Sequence, residues 1–197
     1  ELKGLCNRLH VESSVIFVGP KFDQDLDSEY ANCDFRCVTN DGVAYGTISN
    51  EAFYNEIRRM SGVTTLANEQ IDWAWNEFLE EIPNEKLDLL LELRPHFRML
   101  MLSNTNAIHF PHCRQRCFTY KGHTLDDFFD HCYLSYELQH SKPEEEIFFD
   151  LLNGSAVRPE QCLFLDDGEM NIATARRLGF HANLVDPQGN LADFIHL

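Results

Sequence analysis

The chain has 197 residues, of which 44% are hydrophobic, and a formal charge of −16; that is enough for one α/β core with a small insertion and a buried interior. The negative charge argues against nucleic acid or an anionic membrane as partner, since both would be repelled. No run is long and apolar enough to cross a bilayer and no basic leader precedes an apolar core, which points to a soluble cytoplasmic protein.

Between 49 and 82 the apolar residues recur at helical spacing: Phe53, Ile57 and Met60, then Ile71, Trp75, Phe78, Leu79 and Ile82. The spacing predicts a helical hairpin broken at Ser61 and Gly62. Ser49 or Asn50 caps the first helix, with Glu51 and Glu56 nearer its start than Arg58 and Arg59, as the helix dipole prefers. The second helix starts near Asn68. From Asn84 a helix carries Leu87, Leu90, Leu91 and Leu93 and stops at Pro95, and a strand follows over 98–102. A second strand is expected near 132–134, then a helix opening at Pro143 that buries Ile147, Phe148, Leu151 and Leu152. The apolar run 162–165 reads as a strand buried on both faces. A helix over 171–178 ends at Gly179, and 181–185 forms one more strand. Strands alternate with helices, so the class is α/β with a parallel sheet. The chain shows no internal repeat and no low-complexity segment.

Three short runs carry chemistry. Leu-Ser-Asn-Thr-Asn at 102–106 and Phe-Leu-Asp-Asp-Gly-Glu-Met-Asn at 164–171 each follow an apolar strand, and Ser-Lys-Pro-Glu at 141–144 precedes a helix. Open α/β sheets collect ligands at such places. Ser103 can donate a hydrogen bond to a phosphate oxygen and Lys142 supplies a point charge beside a helix start, where anions are favoured. Asp166 and Asp167, adjacent at a sheet edge, repel one another unless a cation lies between them, and Mg²⁺ takes such hard oxygens. Each residue alone has a plainer role: a turn hydroxyl, a surface lysine, a helix cap. Because the chain is so acidic, Lys142 and a metal have to reverse the field locally if phosphate is to bind.

Taken in order, these runs resemble motifs II, III and IV of the haloacid dehalogenase (HAD) superfamily, most of whose members are Mg²⁺-dependent phosphatases. The likeness is nearest to the small-capped, phosphatase-like branch and runs from about 46 to 180, beginning with Ser-Asn-Glu-Ala-Phe-Tyr-Asn-Glu-Ile at 49–57. It implies a three-layer Rossmann-like, HAD-like core of parallel sheet over 84–197, and an N-terminal segment with a small helical cap over 1–83. It further implies phosphate held by Ser103, Asn104 and Lys142, Mg²⁺ held directly by Asp167 and through water by Asp166, and Asn171 as a support of the loop. The expected substrate is a small phosphorylated metabolite.

The family reaction also needs motif I, an Asp nucleophile at the end of the first, central strand that forms an aspartyl-phosphate. Sliding the pattern back from Gly46 sets Glu-Leu-Lys-Gly-Leu at 1–5 on the usual Asp-Leu-Gly-Gly-Val. Glu1 then falls on the nucleophile and Lys3 on the second Asp. Glutamate is longer by one methylene, about 1 Å, and such misplacement costs on the order of 10²-fold in rate. A start at Glu1 instead of Met reads as trimming or a fragment, with nothing before it to form the first strand. A weaker alternative takes 15–18 as that strand and Asp23 or Asp25 as the nucleophile; with Asp27 these otherwise form an exposed acidic turn. The expected function is therefore Mg²⁺-dependent phosphate monoester hydrolysis, impaired in this chain, and the alternative is a non-catalytic binding or scaffold protein of the same fold.

Two further features have lesser readings. His109 and His112 line the substrate mouth or are solvated loop histidines. With Cys113 and Cys117, and Cys33 and Cys37 elsewhere, they could hold zinc, but the Cys-x₃-Cys spacing matches no zinc pattern. Seven scattered cysteines are more consistent with reduced thiols than with a disulfide framework.

Overall fold

A computed structural model describes residues 44–77, 79, 81–186 and 189–194. Glu1, Lys3, the run 15–18, Asp23, Asp25, Asp27, Cys33, Cys37 and Phe78 lie outside the described residues.

The first helix of the hairpin forms as its periodicity predicts, while the second ends at Asn76, short of Leu79 and Ile82, which are not helical. Helix α1 spans Asn50–Ser61, and the Ser49 hydroxyl caps it by accepting the Ala52 N–H at 3.2 Å. It ends at Gly62, whose φ of 70° is the left-handed conformation that glycine adopts without steric cost. Helix α2 spans Asn68–Asn76. Phe53, Ile57, Ile71 and Ala74 of the two helices are buried together, with Trp75 packed against them.

Helix α3 (Asn84–Leu93) stops just before Pro95, and strand β1 (Leu100–Ser103) follows. Next come α4 (His109–Arg116), α5 (Leu125–Phe128), β2 (His131–Leu134), α6 (Ser135–Leu138) and α7 (Glu145–Ser155). Strand β3 (Leu163–Asp166), helix α8 (Glu169–Arg177) and strand β4 (His181–Leu184) complete the core. Strand β1 pairs in parallel with β2, from Leu100 opposite His131 to Ser103 opposite Leu134. Strand β3 pairs in parallel with β4, from Leu163 opposite His181 to Asp166 opposite Leu184. Both carboxyl ends therefore deliver site residues.

Among the described residues the strands form two parallel pairs, with a cavity of about 810 Å³ lined by β1 and β3; three further local expectations of the sequence are corrected. The first, central strand implied by the resemblance falls on residues outside the described set. Among the described residues strand β3 is not buried on both faces: Leu163 is 47% exposed and only Asp166 is buried. Helix α7 opens at Glu145, two residues after Pro143, because Ser141 to Glu144 close a turn of their own. In that turn the Glu144 N–H donates to the Ser141 carbonyl at 2.9 Å, the Ser141 N–H donates to Glu144 Oε2 at 3.0 Å, and the Lys142–Pro143 peptide is cis. His109 and His112 sit on α4 and not in a loop.

The interior between sheet and helices is built on Phe148, Phe164 and Phe180, which meet edge to face with ring centroids 5.4, 5.7 and 6.3 Å apart. Phe148 and Ile147 are fully buried. A third cluster joins Leu87 of α3 to Phe118, Leu125 and Phe128.

Candidate active site

Ser103, Lys142, Asp166 and Asp167 line one cavity. Three chain segments bring them there: the end of β1, the turn before α7, and the end of β3.

At the end of β1, pairing of Ser103 with Leu134 fixes the strand, and the loop beyond is tied to the end of β2. Ser135 is fully buried; its hydroxyl accepts the Thr105 N–H at 2.9 Å and donates to the Thr105 carbonyl at 2.9 Å. Ser135 was not among the expected residues. The signal that could have found it is a hydroxyl directly after a strand, the same placement that singled out Ser103.

The Asn104 side chain is engaged by the backbone of Lys142. Its Nδ2 donates to the Lys142 carbonyl at 2.8 Å and its Oδ1 accepts the Lys142 N–H at 2.8 Å. The side chain thus closes a two-point clamp between the β1 loop and the Lys142 turn, and positions the lysine.

The Lys142 ammonium donates to Asp166 Oδ2 at 2.7 Å, with the two side chains 11% and 6% exposed. The other carboxylate oxygen of Asp166 accepts the Asn171 Nδ2–H at 2.7 Å and the Gly168 N–H at 2.8 Å. Burial alone would push the Asp166 carboxyl up, but the lysine charge and these hydrogen bonds outweigh it and hold the group below the ordinary carboxylate range. Asn171 supports the loop as expected. Glycine at 168 leaves room for these contacts, since a Cβ there would lie 2.6 Å from Asn171 Nδ2 and 3.0 Å from Asp166 Oδ1 and displace them.

Asp167 is exposed. The site therefore holds one neutralised carboxylate and one open to ligands. This donor set fits Mg²⁺, which keeps several waters and is commonly held by one or two carboxylates together with substrate phosphate. The zinc reading has no such support: no group of three or more His, Cys, Asp or Glu side chains among the described residues is placed to hold a metal. Cys113 is a half-buried thiol pushed up to about 12 by desolvation and its neighbour Cys117, far from the thiolate that zinc needs. His109 is held by protein groups and does not line the cavity.

Residues 46–179 match the family model described as haloacid dehalogenase-like hydrolase. The D-ribitol-5-phosphate phosphatase of Bacteroides thetaiotaomicron is 37% identical over 135 residues, which cover 68% of this chain and 65% of that protein; the chain thus matches somewhat less than two thirds of this relative's length. A HAD family enzyme of Bacteroides thetaiotaomicron, crystallised with magnesium and inorganic phosphate, superposes with a TM-score of 0.76 at 36% identity, covering 79% of this chain and 78% of that one. A predicted HAD-like family hydrolase of Porphyromonas gingivalis gives 0.76 at 32% identity, covering 98% and 88%.

Proposed function

The chain belongs to the haloacid dehalogenase-like hydrolase family, and we propose that it is built to hydrolyse small phosphate monoesters with Mg²⁺. The observation that carries this reading is the convergence of Ser103, Lys142, Asp166 and Asp167 on one cavity. The Ser103 hydroxyl and the backbone N–H groups after β1 hold phosphate oxygens, and the Lys142 charge offsets the anion. Asp167 would hold Mg²⁺ directly and Asp166, whose oxygens are engaged by Lys142, Asn171 and Gly168, through water; the ion would neutralise charge on the phosphoryl oxygens, and such positioning and electrostatics supply most of the catalysis in phosphoryl transfer. The phosphatase and the magnesium and phosphate complex among the relatives support the same assignment. We assign helices α1 and α2 to the small cap that the family resemblance implies.

We assign the attacking group to Glu1, which the resemblance sets at the nucleophile position. Among the described residues Asp166 and Asp167 are the carboxylates that line the cavity, and both are assigned to the metal. Glu1, on the sequence register of the nucleophile, gives slow turnover. That favours keeping a second reading, a binding protein that retains the phosphoryl site without the chemistry. Phosphate release over a panel of phosphorylated sugars and polyols, with Mg²⁺ or with chelator, tests the proposal. Slow Mg²⁺-dependent release, raised by Glu1→Asp, is expected. Release that survives chelation refutes the Mg²⁺ requirement, no release from any ester refutes the phosphatase reading, and fast release unaffected by Glu1→Ala refutes Glu1 as the nucleophile.

A further inference from the structure

We propose that Asn106 is a positioning residue that couples occupancy of the phosphoryl site to the α1/α2 helical pair. The inference rests on the phosphoryl site of the preceding reading and adds to it a residue that touches neither substrate nor metal.

A continuous chain of contacts runs from the site into the helical pair. Three residues after Ser103, Asn106 is 8% exposed. Its Oδ1 accepts the N–H groups of Ile108 and His109 at 2.9 and 2.8 Å, and its Nδ2 donates to His109 Nδ1 at 3.2 Å. The His109 ring stacks on Trp75 of α2, with centroids 5.7 Å apart and planes 22° from parallel. Phe53 of α1 then meets Trp75 edge-on at 5.0 Å. Ile108, 6% exposed, enters the same cluster as Phe53, Ile57, Ile71 and Ala74. Thr105, between Ser103 and Asn106, is itself anchored on Ser135.

A carboxamide at 106 suits both contacts: its oxygen accepts the two backbone N–H groups while its Nδ2 donates to His109 Nδ1. Burial pushes the His109 pKa down to about 4, partly offset by a hydrogen bond to the Trp75 backbone. The imidazole is then neutral near pH 7, and Nδ1 can accept. A shift of the Ser103 to Thr105 loop on phosphate binding would pass along the backbone to Asn106 and from there, through hydrogen bonds and close-packed rings, to Trp75. Close-packed interiors transmit such displacements.

The chain has two tryptophans, so Trp73→Phe leaves Trp75 as the sole emitter. Inorganic phosphate is titrated with Mg²⁺ into this variant, with calorimetry for binding and Trp75 emission for the helical pair. A saturable emission change is expected at the calorimetric midpoint. Adding Asn106→Ala should retain phosphate binding to within about threefold, well under 1 kcal/mol, and abolish the emission change. If Asn106→Ala does not fold, His109→Phe keeps a ring on Trp75 without Nδ1, and the same loss is expected. Binding heat with no emission change overturns the coupling, as does an emission change that survives in the variant that folds. No binding heat at all overturns the phosphoryl site itself, and the coupling with it.

Discussion

The Lys142 and Asp166 pair is the centre of the site's electrostatics, and its shielding from water sets what its loss costs. Breaking a buried pair by removing one partner leaves an uncompensated charge, at a cost of about 3 kcal/mol. Lys142→Met should therefore destabilise the fold by roughly that amount at pH 7, read from urea unfolding. The sign with pH follows from the lowered Asp166 pKa. Its contribution is complete above the unfolded value near 4 and is lost as pH falls through the folded value, so the difference between Lys142→Met and the parent should shrink in that acid window. Gly168→Ala tests the other oxygen of Asp166. A Cβ 2.6 Å from Asn171 Nδ2 displaces the hydrogen bond that Asn171 gives to Asp166, costing about 2 kcal/mol. Asn171→Ala should cost a similar amount, and the double variant little more than either alone, because both remove one interaction. Additive losses in thermal melts would mean that Gly168 acts elsewhere.

At the scale of elements, Phe148 on α7 ties helix to sheet through Phe164 and Phe180. Phe148→Ala should cost about 3–5 kcal/mol in chemical denaturation, the range for a buried aromatic. A loss under 1 kcal/mol would mean that the region repacks freely. These elements were legible in the sequence because they bury one face with a clear period. The hairpin of α1 and α2 was readable down to its Ser49 cap and its Gly62 stop. Helix α4 was not. Its segment, with Pro111 and few apolar residues, has little helical period; tertiary packing of Phe110, Cys113 and Cys117 and the Asn106 turn specify it instead. Pro143 misled in the opposite direction, since a proline that suits the first position of a helix also suits the turn that precedes one. The three site runs were legible as motifs, yet the clamp of Asn104 on Lys142 and the support of Ser135 under Thr105 depend on segments about 30 residues or more apart in sequence, and no local pattern announces them.

For the whole molecule, a formal charge of −16 opposes an anionic ligand until a cation is present, so binding of phosphate and Mg²⁺ should be interdependent. Mg²⁺ should raise the melting temperature by mass action, and Asp167→Asn should remove the gain. An unchanged melting temperature at millimolar Mg²⁺ would count against the carboxylate site. The most direct test is calorimetric titration of inorganic phosphate with and without Mg²⁺, on the parent chain and on Asp167→Asn. Saturable binding that requires Mg²⁺ and weakens at least about tenfold, 1.4 kcal/mol, in Asp167→Asn is the predicted result. Phosphate binding that is equal with and without Mg²⁺, or untouched by Asp167→Asn, would contradict a shared metal and phosphoryl site at the ends of β1 and β3.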